Sequence, residues 1–238
     1  MRRVAVVVAH PDDESYPFAG TLARLADLGV EVHVVCATRG EGGWDLTGEG
    51  RTGAALAEAR SRELARSCEV LGAAPPRFLD MPDGGVEIAP ERLQAALAPL
   101  EPDALFTLGH DGAYGHVDHL AVTAMVGAVA GGRPVLHAVF PPGLFEPFRR
   151  KMKRFAPAAL GLPDDAPLGS RLFDLEVDTR PVQQRKLDSV AAHRTQVQGG
   201  DPRRFLFDGL LDAVLDVERF RYATESRIAV WPLQPPAG

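Results

Sequence analysis

Apolar residues run almost unbroken through Arg3–Ala9 (RVAVVVA), the pattern of a strand buried on both faces. Ser15–Leu28 then sets Phe18, Leu22, Leu25 and Leu28 at helical spacing and stops at Gly29. Glu31–Thr38 (EVHVVCAT) reads as a second strand, followed by a glycine-rich loop at Arg39–Gly53. Ala54–Leu71 predicts a long helix closed by Gly72, a residue that tolerates the positive φ of a helix C-terminus. The alternation continues with strands at Arg77–Met81, Asp103–Leu108 and Pro134–Phe140, and helices at Pro90–Leu100 and His116–Val129. Such alternation implies right-handed crossovers and a parallel sheet covered on both faces. The predicted fold class is α/β, a Rossmann-like layered fold with a mainly parallel sheet.

Beyond Phe140 the pattern weakens. Pro141–Gly169 is rich in proline and carries the basic run Arg149–Arg154, whose plain reading is a solvated helix face. Leu172–Val177 suggests a strand, Val182–His193 and Phe205–Phe220 helices, Arg227–Trp231 a last strand and Pro235–Gly238 a frayed tail. For 238 residues the expectation is one domain, 1–238. It would comprise a Rossmann-like core at 1–140 and an irregular C-terminal extension at 141–238 packing on it.

Composition narrows the function classes. Hydrophobic residues at 45% and charged residues at 24% are globular values and exclude wholesale disorder. The formal net charge of -6 argues against general nucleic-acid binding. Cys36 and Cys68 form no CxxC and cannot supply a disulfide framework, which suits a reducing compartment. The acidic cluster after Ala9 comes too soon for a secretory leader. No apolar run approaches the ~18 residues of a membrane span. A cytoplasmic protein without stable membrane association is expected.

His10-Pro11-Asp12-Asp13-Glu14 lies at the end of the first predicted strand, where open α/β sheets bind ligands. Imidazole and carboxylate suit zinc or iron(II), and the adjacent carboxylate can accept a proton from water. Taken alone, the same residues suit a turn and a helix N-terminus. His116-Val117-Asp118-His119 follows the fourth strand. Its spacing of three sets both histidines on neighbouring parts of one helix face, and Asp118 can orient an imidazole through its other nitrogen. This cluster, too, reads alone as a polar helix start. Together, at one edge of one sheet, the two clusters supply three ligands and an open position. That is the pattern of a catalytic rather than a structural metal site.

These residues carry a family resemblance. Ala9–Glu14 (AHPDDE) matches, residue for residue, the first signature of the PIG-L/LmbE family of zinc-dependent de-N-acetylases. Gly115–His119 (GHVDH) resembles the second, with Val117 where proline is common. Thr38–Gly42, Arg60–Glu63 ahead of Leu71-Gly72, Asp80–Gly84 and Ala192–Gln196 also fit in order, so the resemblance reaches roughly to Gln196. It implies His10, Asp13 and His119 as metal ligands and Asp12 as the general base. It implies His116 as acid or oxyanion stabiliser, roles a protonated imidazole can fill, and Asp118 as the orienter of a histidine. Arg60, Tyr114 and Glu41 fall on the substrate side.

The implied cofactor is Zn2+, with Fe2+ accepted by the same triad. The implied reaction removes acetyl from an N-acetylglucosaminyl conjugate by metal-activated water. GlcNAc-malate is the first candidate substrate, GlcNAc-inositol the second, and diacetylchitobiose-like sugars follow. A homo-oligomer, trimer or hexamer, is also implied. Two other classes stay open. One is a non-catalytic Rossmann-like module for a sugar or nucleotide, although a GxGxxG turn is missing. The other is a metal-dependent phosphoesterase, whose two-metal site wants more bridging carboxylates. Arg60 can instead pair with Glu63 on its own helix. Trp44 can offer a sugar a stacking face, and His193 stands between a structural and a supporting role.

Overall fold

β1 (Arg3–Val8) shows why the first run of valines makes a central strand. Its side chains alternate between two cores: Val4, Val6 and Val8 join one, Ala5 and Val7 the other. Full burial of a valine contributes on the order of 1.5–3 kcal/mol. The computed structural model describes residues 1–233 and sets β1 in a seven-stranded sheet. The other strands are β2 (Glu31–Cys36), β3 (Arg77–Phe78), β4 (Ala104–Thr107), β5 (Val135–Val139), β6 (Leu175–Asp178) and β7 (Val217–Tyr222). Their order is β3-β2-β1-β4-β5-β7-β6. The first five are parallel, and β7 runs antiparallel between β5 and β6.

Helices α1 (Ala19–Asp27) and α2 (Gly53–Leu71) bury their apolar stripes in the first core. α3 (Pro90–Leu97), reached next, packs in the second core, on the opposite face. A short α4 (Gly112–Gly115) leads into α5 (Val117–Ala128), which shares the second core with α3. α6 (Glu146–Phe155) follows β5, and α7 (Gln183–Ala192) packs against α1 and α2. α8 (Leu210–Val214) precedes β7. Because β4 lies on the other side of β1 from β2 and β3, the crossovers diverge at the β1–β4 seam. Such a seam opens a crevice outside the strand ends, where α/β sheets place ligands.

Several elements differ from expectation. α1 begins at Ala19, not Ser15. Pro17 steers Tyr16 away from helical dihedrals, and residues 11–18 form turns. The expected helix at Phe205–Phe220 is replaced by the short α8 and then by β7. In β7 the inward positions are Glu218 and Phe220, so a buried glutamate breaks the apolar alternation that marks a strand. Arg227–Trp231 forms no strand; Trp231 packs its ring against Phe106. β6 and β7 extend the same sheet, so the C-terminal part is less irregular than expected. The tail at Pro235–Gly238 lies outside the described residues. Among the described residues no helix is long and apolar enough to cross a membrane.

Candidate active site

The chain leaving β1 turns at once, because Asp13 folds back on His10. The His10 amide donates to Asp13 Oδ2 (2.9 Å), and the Asp13 amide donates to the His10 carbonyl (3.2 Å). From the neighbouring strand β4, α4 and the start of α5 bring His116, Asp118 and His119 to the same crevice. His10 Nδ1 lies 3.2 Å from His119 Nε2 and 3.5 Å from Asp13 Oδ2, and His119 Nε2 lies 3.3 Å from Asp13 Oδ2. Ligands held ~2.0–2.2 Å from a tetrahedral zinc stand roughly 3.3–3.6 Å apart, so this triangle fits one ion.

The outer nitrogens support that fit. His119 Nδ1 meets the Gly112 carbonyl at 2.9 Å, which leaves its Nε2 lone pair toward the triangle. His10 Nε2 faces Asp118 Oδ2 and Asp83 Oδ1, each at 3.1 Å, which frees Nδ1 in the same way. Carboxylates and carbonyls behind ligating imidazoles fix the tautomer and ring orientation. Burial disfavours charge on His10, but hydrogen bonds to Asp118, Asp13 and Asp83 raise its pKa well above the usual range. A field that favours a proton there also favours a metal cation in its place. Asp118 is itself held by the amides of Gly84 (2.7 Å) and Val86 (2.9 Å), so it orients His10 rather than His116. His10, His116 and His119 nitrogens also cluster within 4.8 Å. Asp13 closes the tighter triangle, and His116 Nδ1 is already occupied.

That occupant is the Asp118 amide, which donates to His116 Nδ1 at 3.2 Å. The proton of the neutral ring therefore sits on Nε2. Burial, together with His10 and His119, lowers the His116 pKa to about 3. With Nδ1 accepting from the Asp118 amide, the ring turns its Nε2 toward the cavity as the group that can donate. Its ring lies 4.8 Å from His10 and 4.9 Å from His119, centroid to centroid. Tyr114 meets both His116 and His119 edge-on, and its phenol has no hydrogen-bond partner among the described residues.

Asp12 differs from Asp13 in every partner. It has φ 133, a region L residues rarely adopt and one that is costly unless its surroundings enforce it. The enforcement is visible. Its amide donates to Glu14 Oε2 (3.1 Å), and its carbonyl accepts from Ser15 Oγ (2.6 Å). Glu14, fully buried, accepts at Oε1 from His193 Nε2 (2.6 Å) and Ser67 Oγ (2.5 Å). Arg60 Nη2 donates to Asp12 Oδ2 (3.0 Å), leaving Oδ1 without a partner among the described residues. Burial raises the Asp12 pKa to about 6 against the pull of Arg60, with Asp13 adding to the rise. A carboxylate near that value can take and return a proton at neutral pH.

The remaining expected residues fall in two groups. Arg60 lines the cavity, and its guanidinium is anchored by the carbonyls of Pro11 (2.7 Å) and Gly40 (3.0 Å) rather than by Glu63. A Cβ at Gly40 would come within 2.4 Å of that guanidinium, so the glycine lets the loop close on it. Glu41 accepts from the Asp83 amide (2.9 Å) and holds the residue that faces His10. Asp83 and Glu14 carry parts of the site that sequence reasoning left without a role, and His193, read as structural or supporting, holds Glu14. Asp83 had a signal, since it lies within the Asp80–Gly84 motif. A cavity of about 580 Å3 opens on His10, Asp12, Asp13, Arg60, Asp83 and His116, and Trp44 and Phe148 also line it.

A family model described as PIG-L, GlcNAc-PI de-N-acetylase, matches residues 5–130. The chain is 30% identical to a 1D-myo-inositol 2-acetamido-2-deoxy-alpha-D-glucopyranoside deacetylase of Corynebacterium glutamicum, over 97% of this chain and 85% of that protein. It is 31% identical to the probable N-acetyl-alpha-D-glucosaminyl L-malate deacetylase 2 of Bacillus cereus, over 83% and 84%. Its fold resembles the N,N'-diacetylchitobiose deacetylase of Pyrococcus horikoshii, with a TM-score of 0.64 and 25% identity over 93% and 83% of the chains.

Proposed function

The chain belongs to the PIG-L family of de-N-acetylases, and on that premise we propose that it hydrolyses the acetamide of an N-acetylglucosaminyl conjugate to acetate and a free amine. The observation that carries this reading is the His10–Asp13–His119 triangle with the free Oδ1 of Asp12 in the same cavity. Two imidazoles and a carboxylate suit zinc, and iron(II) as well. When bound, such an ion supplies a Lewis acid for the acyl oxygen and a water acidified to a pKa of about 7.

The chain's own groups do the rest. Asp12 accepts the proton of the attacking water, and Arg60 keeps its carboxylate in place. His116, neutral and with Nδ1 occupied, donates its Nε2 proton as a hydrogen bond to the developing oxyanion. Asp12, having taken the water's proton, returns it to the leaving amine. Tyr114 offers its phenol O–H to the substrate. Asp83 and Asp118 both face His10 Nε2, across the ring from the Nδ1 of the triangle, which suits support of a ligand rather than the bridging role a two-metal phosphoesterase requires.

The substrate class follows the relatives named above. One is named for the inositol conjugate and one for the malate conjugate, and identities of 30% and 31% do not rank the two. A panel of GlcNAc-inositol, GlcNAc-malate and diacetylchitobiose, read by primary-amine release, tests the reading and ranks them. Release from none of the panel by metal-loaded protein overturns it. The homo-oligomer, trimer or hexamer, that the resemblance implies belongs to the same proposal and is read by light scattering.

A further inference from the structure

The cavity has two chemically different ends. The inner end carries Asp12, Asp13 and Asp83. An aromatic wall leads outward from it. The ring of His116 lies 5.7 Å from that of Tyr114, Tyr114 lies 4.8 Å from Phe148, and the Phe148 ring lies 5.9 Å from Lys151 Nζ. Met152 and Leu206 add to the apolar lining, and Arg204 joins Lys151 at the outer end.

Of the cations on the cavity wall, Arg60 pairs with Asp12, whereas Lys151 and Arg204 have no carboxylate partner among the described residues. On α6, Arg149 pairs with Glu146 and takes the carbonyls of Asp164 and Ala166, and Lys153 pairs with Asp164. Lys151, between them and on the cavity wall, has no carboxylate within 4.0 Å among the described residues. Likewise Arg203 pairs with Asp212 at 2.8 Å, whereas Arg204 on the cavity wall has no such partner among the described residues. In a chain of net charge -6, two unpaired cations on the exposed wall of the cavity are a local attractor for anions.

We propose that Lys151 and Arg204 form a subsite that reads an anionic group, carboxylate or phosphate, on the aglycone of the substrate. The aglycone reaches them across an apolar stretch lying on Phe148, Met152 and Leu206. The proposal rests on the deacetylase reading and sharpens it, because it places the charge of the conjugate at the far end of the aglycone. It also assigns the charged end a positioning role: the anion held at the mouth sets the acetamide at the floor.

The test uses an ω-carboxyalkyl N-acetylglucosaminide and its methyl ester, which differ by one charge. At low salt the acid should show about five- to tenfold higher kcat/KM, carried mainly by KM. Exposed ion pairs act on this scale, and the preference should shrink as salt rises. In the Lys151→Met/Arg204→Met double variant, with unchanged circular dichroism, the ratio of acid to ester should fall to about one. Equal kcat/KM for the two compounds in the parent overturns the subsite, as does a preference that survives the double substitution. Calorimetric binding of both compounds separates the two readings. Tighter binding of the acid without amine release from either compound sustains the subsite and sinks the deacetylase. Equal binding without release sinks both.

Discussion

Asp12 and Asp13 are adjacent and both buried, yet their partners draw them apart. Burial opposes charge on each. His119 and His10 hold Asp13 well below the ordinary carboxylate range, while Asp12 is raised to about 6 despite Arg60. Asp12→Asn should therefore keep its metal and lose about 10²–10⁴-fold in turnover, the usual scale of general-base catalysis. Asp13→Ala should lose metal, as elemental analysis of the purified variants would show. The reverse pattern would exchange the two roles. Glu14 acts through Asp12. Glu14→Gln would place an amide N–H₂ against a donor that now meets an acceptor, so the strained turn should relax. A displacement of ~1 Å can cost ~10²-fold, so kcat should fall about 10- to 100-fold while KM and metal content change little. A fall in metal content equal to that of Asp13→Ala would place Glu14 with the ligands instead. The main triad was legible in the sequence because each half of it sits in one short motif. The support of Asp12 was not, because His193 lies 179 residues from Glu14 and nothing local to either announces the pairing.

Between elements, one buried contact ties the C-terminal strand to the first helix. Glu218 of β7 accepts from the Gly20 and Thr21 amides of α1 and from Lys186 Nζ of α7 at 2.6 Å. Lys186 and Glu218 are both almost fully buried. Breaking such a pair from one side costs about 3–5 kcal/mol, because the other charge is stranded. Glu218→Ala should lose that much stability in urea unfolding. Arg203→Ala, which breaks an exposed pair, should stay within about 1 kcal/mol. Equal losses for the two variants would show that Glu218 is not the joint between the layers. The same residue explains the failed expectation of a helix at Phe205–Phe220. A strand is read from alternating apolar residues, and here one inward position is a carboxylate whose partners lie on α1 and α7. β1, β2, β4 and β5 were legible because their inward residues are apolar and their neighbours in the chain are helices.

At the scale of the molecule, the β1–β4 seam brings every proposed ligand to one face, and the cavity above it carries Lys151 and Arg204 on its exposed wall. Stability should also depend on pH away from the site. His137 is buried, and burial with the nearby His110 lowers its pKa to about 4. The unfolded chain, with a histidine pKa of about 6.5, binds a proton that the folded chain refuses. The contribution is therefore complete above about pH 6.5 and is lost as pH falls toward 4. It amounts to at most about 3 kcal/mol. His137→Gln should flatten that part of a stability-versus-pH curve, and an unchanged slope would remove His137 as its source. The central claim is that one metal ion held by His10, Asp13 and His119 makes this chain a deacetylase. The most direct measurement strips the protein with chelator, restores zinc or iron(II) stepwise, and follows acetate and primary amine from the active member of the panel. The account predicts equal amounts of both products, loss of activity on stripping, and full recovery at one ion per chain. Full activity in the stripped protein, or recovery only at two ions per chain, would contradict it.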